Sequence, residues 1–251
     1  MELILLGIAA LFAGFVDAIV GGGGLVLVPA LFAAFPNAAP ATLFGTNKGG
    51  AIWGTSASMW SYVRRVQPPW STVAPATLAA FVGALGGAWL ITQVKSTDFR
   101  QALPFILLAV LLYTLKRKDL GHHHAPHLSG GAERALAVCG GLLIGFYDGF
   151  FGPGTGTFLI FLCTRGFGFD FLHASASAKV VNVACNLAAL LVFASKGHVM
   201  WQYAALIAVC NIAGSLLGTR LALRRGTHFV RGVFLLVVAA LILKTAHDAF
   251  F

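Results

Sequence analysis

Apolar residues run in blocks along this chain, far longer than the alternation of a half-buried strand or the stripe of a surface helix requires. The blocks cover 3–35, 46–63, 70–94, 99–115, 135–163, 175–194, 201–223 and 229–246. A helix that crosses the hydrocarbon core of a bilayer needs about 20 such residues. Most blocks therefore predict a single crossing. The blocks 3–35 and 135–163 are too long for one straight crossing, and each holds a cluster of glycines. The longest polar stretch, 116–134, contains His122, His123, His124 and His127. It reads as a linker between a first repeat, 1–115, and a second, 135–251. The His tract could bind a metal, but a solvated linker is the plainer reading.

Composition sharpens this pattern. Of 251 residues, 58% are hydrophobic and 10% are charged, against about 25% charged in a soluble domain. Lipid is then the solvent for most of the chain, and the fold class is an all-α integral membrane protein. The formal charge of +9 would suggest nucleic acid in a soluble chain, but the basic residues sit mostly at block ends. No stretch outside the blocks is long enough for a nucleic-acid module. The cysteines Cys139, Cys163, Cys185 and Cys210 form no C-x-x-C pair and read as small buried residues. No basic leader precedes the first block, so a cleaved signal is not expected.

Sliding the chain by 131 positions aligns its halves without a gap. Gly14, Phe15 and Asp17 fall on Gly145, Phe146 and Asp148, and Gly21 and Gly23 on Gly152 and Gly154. Lys48 falls on Lys179, Trp70 on Trp201, and Arg100 on Arg231. Gly83 and Gly87 fall on Gly214 and Gly218. Asp, Lys, Trp and Arg are scarce here, so their coincidence at one offset means two copies of one module of about four helical segments. Charge then bears on topology. If every block crosses once, Lys and Arg other than Lys48, Lys179 and Lys244 divide seven against seven between the two faces. If the first block of each half turns back at its glycines, the division is eleven against three. Such a bias is normal for a cytoplasmic face. It implies inverted halves with both termini on the non-cytoplasmic side.

Two polar constellations recur. In the first, the glycine runs Gly21–Gly24 and Gly152-Pro153-Gly154-Thr155-Gly156-Thr157 break their helices. Helices restarting there would present N–H groups around Gly22, Gly23 and Gly24, and around Gly154, Thr155 and Thr157. Helix starts of this kind attract anions. The alternative is a kink or a tight helix crossing. The second constellation is Thr46-Asn47-Lys48 in one half and Ser177-Ala178-Lys179 in the other. Lys179, Asn182 and Asn186 follow i, i+3, i+7 and share one helix face. A lysine within the membrane points to function, although both lie near block ends, where they could snorkel to the interface. Asp17 and Asp148 precede the breaks and call for cations, for which Lys48 and Lys179 are the candidates. Two readings stay open for them, a structural ion pair or proton coupling.

The opening Gly14-Phe15-Val16-Asp17 with Gly21–Gly24, Pro29 and Gly45-Thr46-Asn47-Lys48 resembles the TauE/SafE family of membrane transporters. So does the second signature, Gly145 through Thr157 with 174–179 and Asn182. The resemblance spans nearly the whole chain. It implies a bacterial inner-membrane exporter of sulfite, sulfoacetate or a related organosulfonate. Cysteines matter in the related thiosulfate-uptake branch, but here no cysteine falls on another at the 131 offset. No nucleotide-binding loop occurs, so a secondary transporter working by alternating access is expected, with its anion site near the bilayer midplane. No cofactor, catalytic residue or metal site is expected. The partners are a small anion and the lipid bilayer; protons and a second copy of the chain stay open. A passive channel and, further off, an intramembrane enzyme are the alternatives.

Overall fold

The computed structural model describes residues 2–94, 109 and 128–224. The block at 99–115 apart from residue 109, the block at 229–246, the His122–His127 tract and most of the linker lie outside the described residues. The order of helices is α1 (Glu2–Val20), α2 (Gly24–Ala34), α3 (Pro40–Val63), α4 (Trp70–Ile91), α5 (Gly130–Phe150), α6 (Thr155–Phe161) and α7 (Phe171–Ser195). A five-residue wide turn, Leu162–Gly166, follows α6, and α8 (Trp201–Arg224) completes the described chain. The protein is all-helical, with no strand among the described residues. The segments Leu3–Val20, Trp70–Ile91, Phe171–Ser195 and Trp201–Arg224 are long and apolar enough to cross a membrane.

Burial runs opposite to that of a soluble protein. Leu78 is 71% exposed, Leu143 70% and Val209 70%, while Thr46, Ser58, Ser177 and Ser215 are fully buried. An apolar exterior around a polar interior is what hydrocarbon solvent selects. Helix starts differ from the block edges for local reasons. Pro40 occupies the first turn of α3, where its missing N–H costs nothing. That puts the helix start six residues before the apolar block. Ser129 stands at the N-cap of α5, and Glu133 lies in its first turn. The helix therefore begins inside the stretch read as linker. Asp170 caps α7 by accepting from the N–H groups of Leu172 at 2.8 Å and His173 at 3.1 Å. Partial burial works against ionisation of Asp170. These N–H groups and the His173 imidazole outweigh it and hold the carboxyl below its ordinary range.

At each glycine cluster the chain doubles back. A Cβ on Gly23 would lie 2.6 Å from the Ala13 carbonyl oxygen, so the start of α2 rests against α1. Leu6, Ala10 and Ala13 share a core with Leu27, Val28 and Leu31. In the second half, Leu162 lies against Gly140, and Gly166 against Leu136. The segment after the break thus descends along α5. Gly21 and Gly152, 131 positions apart, adopt φ of 76° and 92°, a left-handed conformation that only glycine takes without strain.

Helix contacts repeat at the same offset. Cβ atoms on Gly83 and Gly87 of α4 would strike the carbonyl oxygens of Leu142 and Phe146 at 2.2 and 2.0 Å. Those on Gly214 and Gly218 of α8 would strike Leu11 and Phe15 at 1.9 and 2.4 Å. Both pairs, α4 with α5 and α8 with α1, run parallel, their backbones brought close by small residues. α3 and α7 run antiparallel: Gly45 meets Phe193, and Gly49 meets Leu190.

Candidate functional site

The last turn of α1 is buried, so its terminal carbonyls need partners from elsewhere. Tyr62 of α3 donates its hydroxyl to Ala18 O at 3.0 Å, and Thr157 of α6 donates to Val20 O at 2.9 Å. Lys179 of α7 donates to Asp17 O and, at 2.7 Å, to Asp17 Oδ2. An ammonium at a helix C-terminus also offsets the negative end of the dipole, which would otherwise oppose an ionised Asp17. The equivalent contact in the other half pairs Lys48 of α3 with Asp148 of α5. Each ion pair therefore joins an aspartate of one half to a lysine of the other. Lys48 is 3% exposed and Lys179 2%. Lys48 is the ninth residue of α3, about 12 Å from the helix start. Neither lysine snorkels. The apolar blocks misplaced both toward block ends, because polar helix turns precede the apolar runs.

Between the two breaks lies a cavity of about 30 Å³, enough for about two water molecules. Its wall brings together Gly23 and Gly24 at the start of α2, Thr155 and Gly156 at the start of α6, and Asn47 and Lys48 of α3. Asn182 and Asn186 of α7 complete it with Asp17 and Asp148. Both restarting helices thus begin at the cavity. Asn47 is 7% exposed, and its Oδ1 has no hydrogen-bond partner among the described residues. A buried amide oxygen left unmatched is a polar group available to whatever enters the cavity. Half a turn of the group exchanges its acceptor for its donors.

The remaining sequence candidates sit elsewhere. Thr46 donates to Thr42 O at 2.7 Å and accepts from Met200 N–H at 3.0 Å, fixing the start of α3 against the chain before α8. Ser177 donates to His173 O at 2.7 Å and lines a separate apolar cavity with Cys163 and Phe167. Gly22, Gly154, Thr157 and Lys179 are outside the cavity wall. Sequence reasoning missed Thr55, Gly152 and Asn211 in that wall. Thr55 stands at the 131 offset from Asn186 and could have been found from it. Asn211 falls on Ala80 and left no repeat signal, although a lone amide in an apolar span is itself a signal. Cys139 is exposed on the outward face of α5 beside Val138 and Leu142, a correction to the expectation that all four cysteines are buried. Cys163 and Cys185 are buried, and Cys210 is intermediate. Among the described residues, no group of His, Cys, Asp or Glu could hold a metal ion.

A lipid-facing helical shell around a polar cavity, walled by two broken helices and crossed by ion pairs, is the architecture of a multi-pass membrane transporter. The chain belongs to the sulfite exporter TauE/SafE family, which matches residues 6–245. It is 35% identical over 249 residues to the probable membrane transporter protein YfcA of Escherichia coli (strain K12), covering 98% of this chain and 91% of the relative. It is 34% identical over 242 residues to the probable membrane transporter protein ORF9 of Sinorhizobium sp, covering 96% and 91%. A probable membrane transporter protein of Haemophilus influenzae is 32% identical over 240 residues, covering 94% and 91%. No solved structure matches the chain.

Proposed function

We propose that the protein is a secondary transporter that exports a small sulfur-containing anion, such as sulfite, sulfoacetate or a related organosulfonate, by alternating access. The observation that carries this reading is the cavity, where a buried ammonium (Lys48), carboxamides and the starts of two helices converge. An anion there would receive Lys48 Nζ, the amides of Asn47, Asn182 and Asn186, and the backbone N–H groups of Gly24 and Gly156. Purified protein in liposomes should take up labelled sulfite or sulfoacetate and exchange it against unlabelled anion without net current. Lys48→Gln should abolish that flux at unchanged expression. An ohmic anion current would replace the carrier with a channel, and full flux in Lys48→Gln would remove Lys48 from the site.

The same reading places the protein in the bacterial inner membrane with its two halves inverted and both termini on the non-cytoplasmic side. Antiparallel α3 and α7, equivalent at the 131 offset, support this. A two-fold axis lying in the membrane plane relates antiparallel copies, whereas repeats in the same orientation would run parallel. Arg65, after α3, and Gln202, at the start of α8, then lie on opposite faces. Single cysteines at these positions in a cysteine-free background should label from opposite sides with an impermeant maleimide. Labelling of both from one side would overturn the inversion.

A further inference from the structure

The two crossed ion pairs are equivalent in sequence but are not held alike. Asp17 Oδ2 accepts from Lys179 at 2.7 Å and from Thr55 Oγ1 at 3.4 Å, and Lys179 also grips the Asp17 carbonyl. Lys179 lies outside the cavity wall. Among the described residues, Asp148 has one hydrogen-bond donor, Lys48. Both members of that pair line the cavity, and the unmatched Asn47 Oδ1 sits beside them. The counterpart of Thr55 is Asn186, which makes no bond to Asp148. One pair is a brace with several holds, and the other is a single contact open to a competitor.

We propose that Asp148 is the site of a transported proton. This rests on the anion-transport reading above. An anion entering the cavity takes the Lys48 ammonium from Asp148. Asp148 then accepts a proton from water on the side to which the cavity is open, and anion and proton cross together. The Lys179–Asp17 pair stays closed throughout. Charge balance drives the coupling. Lys48⁺ and Asp148⁻ in the cavity wall cancel, and Asp17⁻ in the same wall is cancelled by Lys179⁺ behind it, so the charges sum to zero. A monovalent anion alone would leave a net buried negative charge, which an apolar surround disfavours strongly, and one proton on the carboxylate restores neutrality.

The groups facing Asp148 leave that role to it. α3 presents Lys48, and α1 presents Asp17, already neutralised by Lys179. α7 presents the Cys185 thiol, and Tyr147 is the neighbour on α5 itself. α4, packed along α5, and α6 bring no titratable side chain. Asn47 at the same wall is nine-tenths buried with an unmatched Oδ1, and half a turn of its carboxamide would aim the NH2 donors at the anion instead.

The test measures sulfite binding to the purified full-length protein across neutral pH. Wild type should bind more weakly as pH rises, with a dependence steeper than that of Asp148→Asn by about tenfold per pH unit. Sulfite's own ionisation is common to both proteins and cancels in the comparison. In liposomes carrying a pH-sensitive dye, wild type should move one extra proton per sulfite relative to the variant, in the same direction as the anion. Equal pH slopes, proton movement opposite to the anion, or a slope lost in Asp17→Asn but kept in Asp148→Asn would each overturn the proposal. Should Asp148→Asn not fold, infrared difference spectra of wild type decide: sulfite should induce a protonated-carboxyl band, and its absence overturns the proposal. Absence of sulfite flux in wild type would sink the transport reading and this inference with it. Flux without a coupled proton would sink the inference alone.

Discussion

Lys179→Met is expected to lower the stability of the folded protein by roughly 3–5 kcal/mol, because it strands a buried carboxylate. Asp17 is 9% exposed and takes its charged partner from Lys179. The same substitution removes the donor that holds the Asp17 carbonyl at the end of α1. Asp17→Asn in the Lys179→Met background should recover most of the loss, since a neutral amide needs no counter-ion. The measurement is a double-mutant cycle on thermal unfolding in detergent, with the coupling taken as the departure from additivity. Additive effects of the two substitutions would mean that the pair contributes nothing as a pair.

Gly21→Ala carries the second large effect, for two independent reasons. At φ 76° an L side chain costs about 1–2 kcal/mol. Its Cβ would also lie 2.5 Å from Gly156 Cα, and overpacking of that kind costs about 1–3 kcal/mol more. Gly21 and Gly156 are where the break of one half touches the restarted helix of the other, so the damage falls on the cavity as well as on stability. Loss of transport together with a lower unfolding midpoint is the expected outcome. Gly131→Ala, where an added Cβ meets nothing within 4 Å, should leave the midpoint within about 0.5 kcal/mol. Equal stability of the two variants would show that the backbone contact between the breaks is dispensable.

Much of this architecture is legible in the sequence because scarce residues carry it. Asp17, Lys48 and their copies stand out in a chain that is 10% charged. Gly21–Gly24 and Gly152–Gly156 announce breaks, since neither run sustains a helix. The residues written as one site, however, separate into a cavity and its supports. Thr46 and Thr157 look like ligands in sequence, yet each hydroxyl is taken up by a backbone carbonyl. A hydroxyl three or four residues from an open carbonyl, or facing a helix end, binds the nearest acceptor, and which acceptor lies across a helix interface is a tertiary fact. Which lysine meets which aspartate is also tertiary. Lys48 and Lys179 stand out as candidates for both aspartates, but the exchange between halves cannot be read from spacing. Burial of Lys48 was hidden because apolarity marks where lipid touches a helix, not where the helix begins.

The exchange of partners between halves has a consequence for the half-chain itself. Each half carries an aspartate just before its break and a lysine two helices further on, and neither meets the other within that half. The other half supplies the missing partner at both positions at once. Each half on its own would therefore carry a buried aspartate and a buried lysine without their counter-charges, and both are neutralised only when the two halves pack together. At the 131 offset Asn47 and Asn182 fall on Ala178 and Ala51, so the two ion pairs match between the halves while the amides of the cavity wall do not.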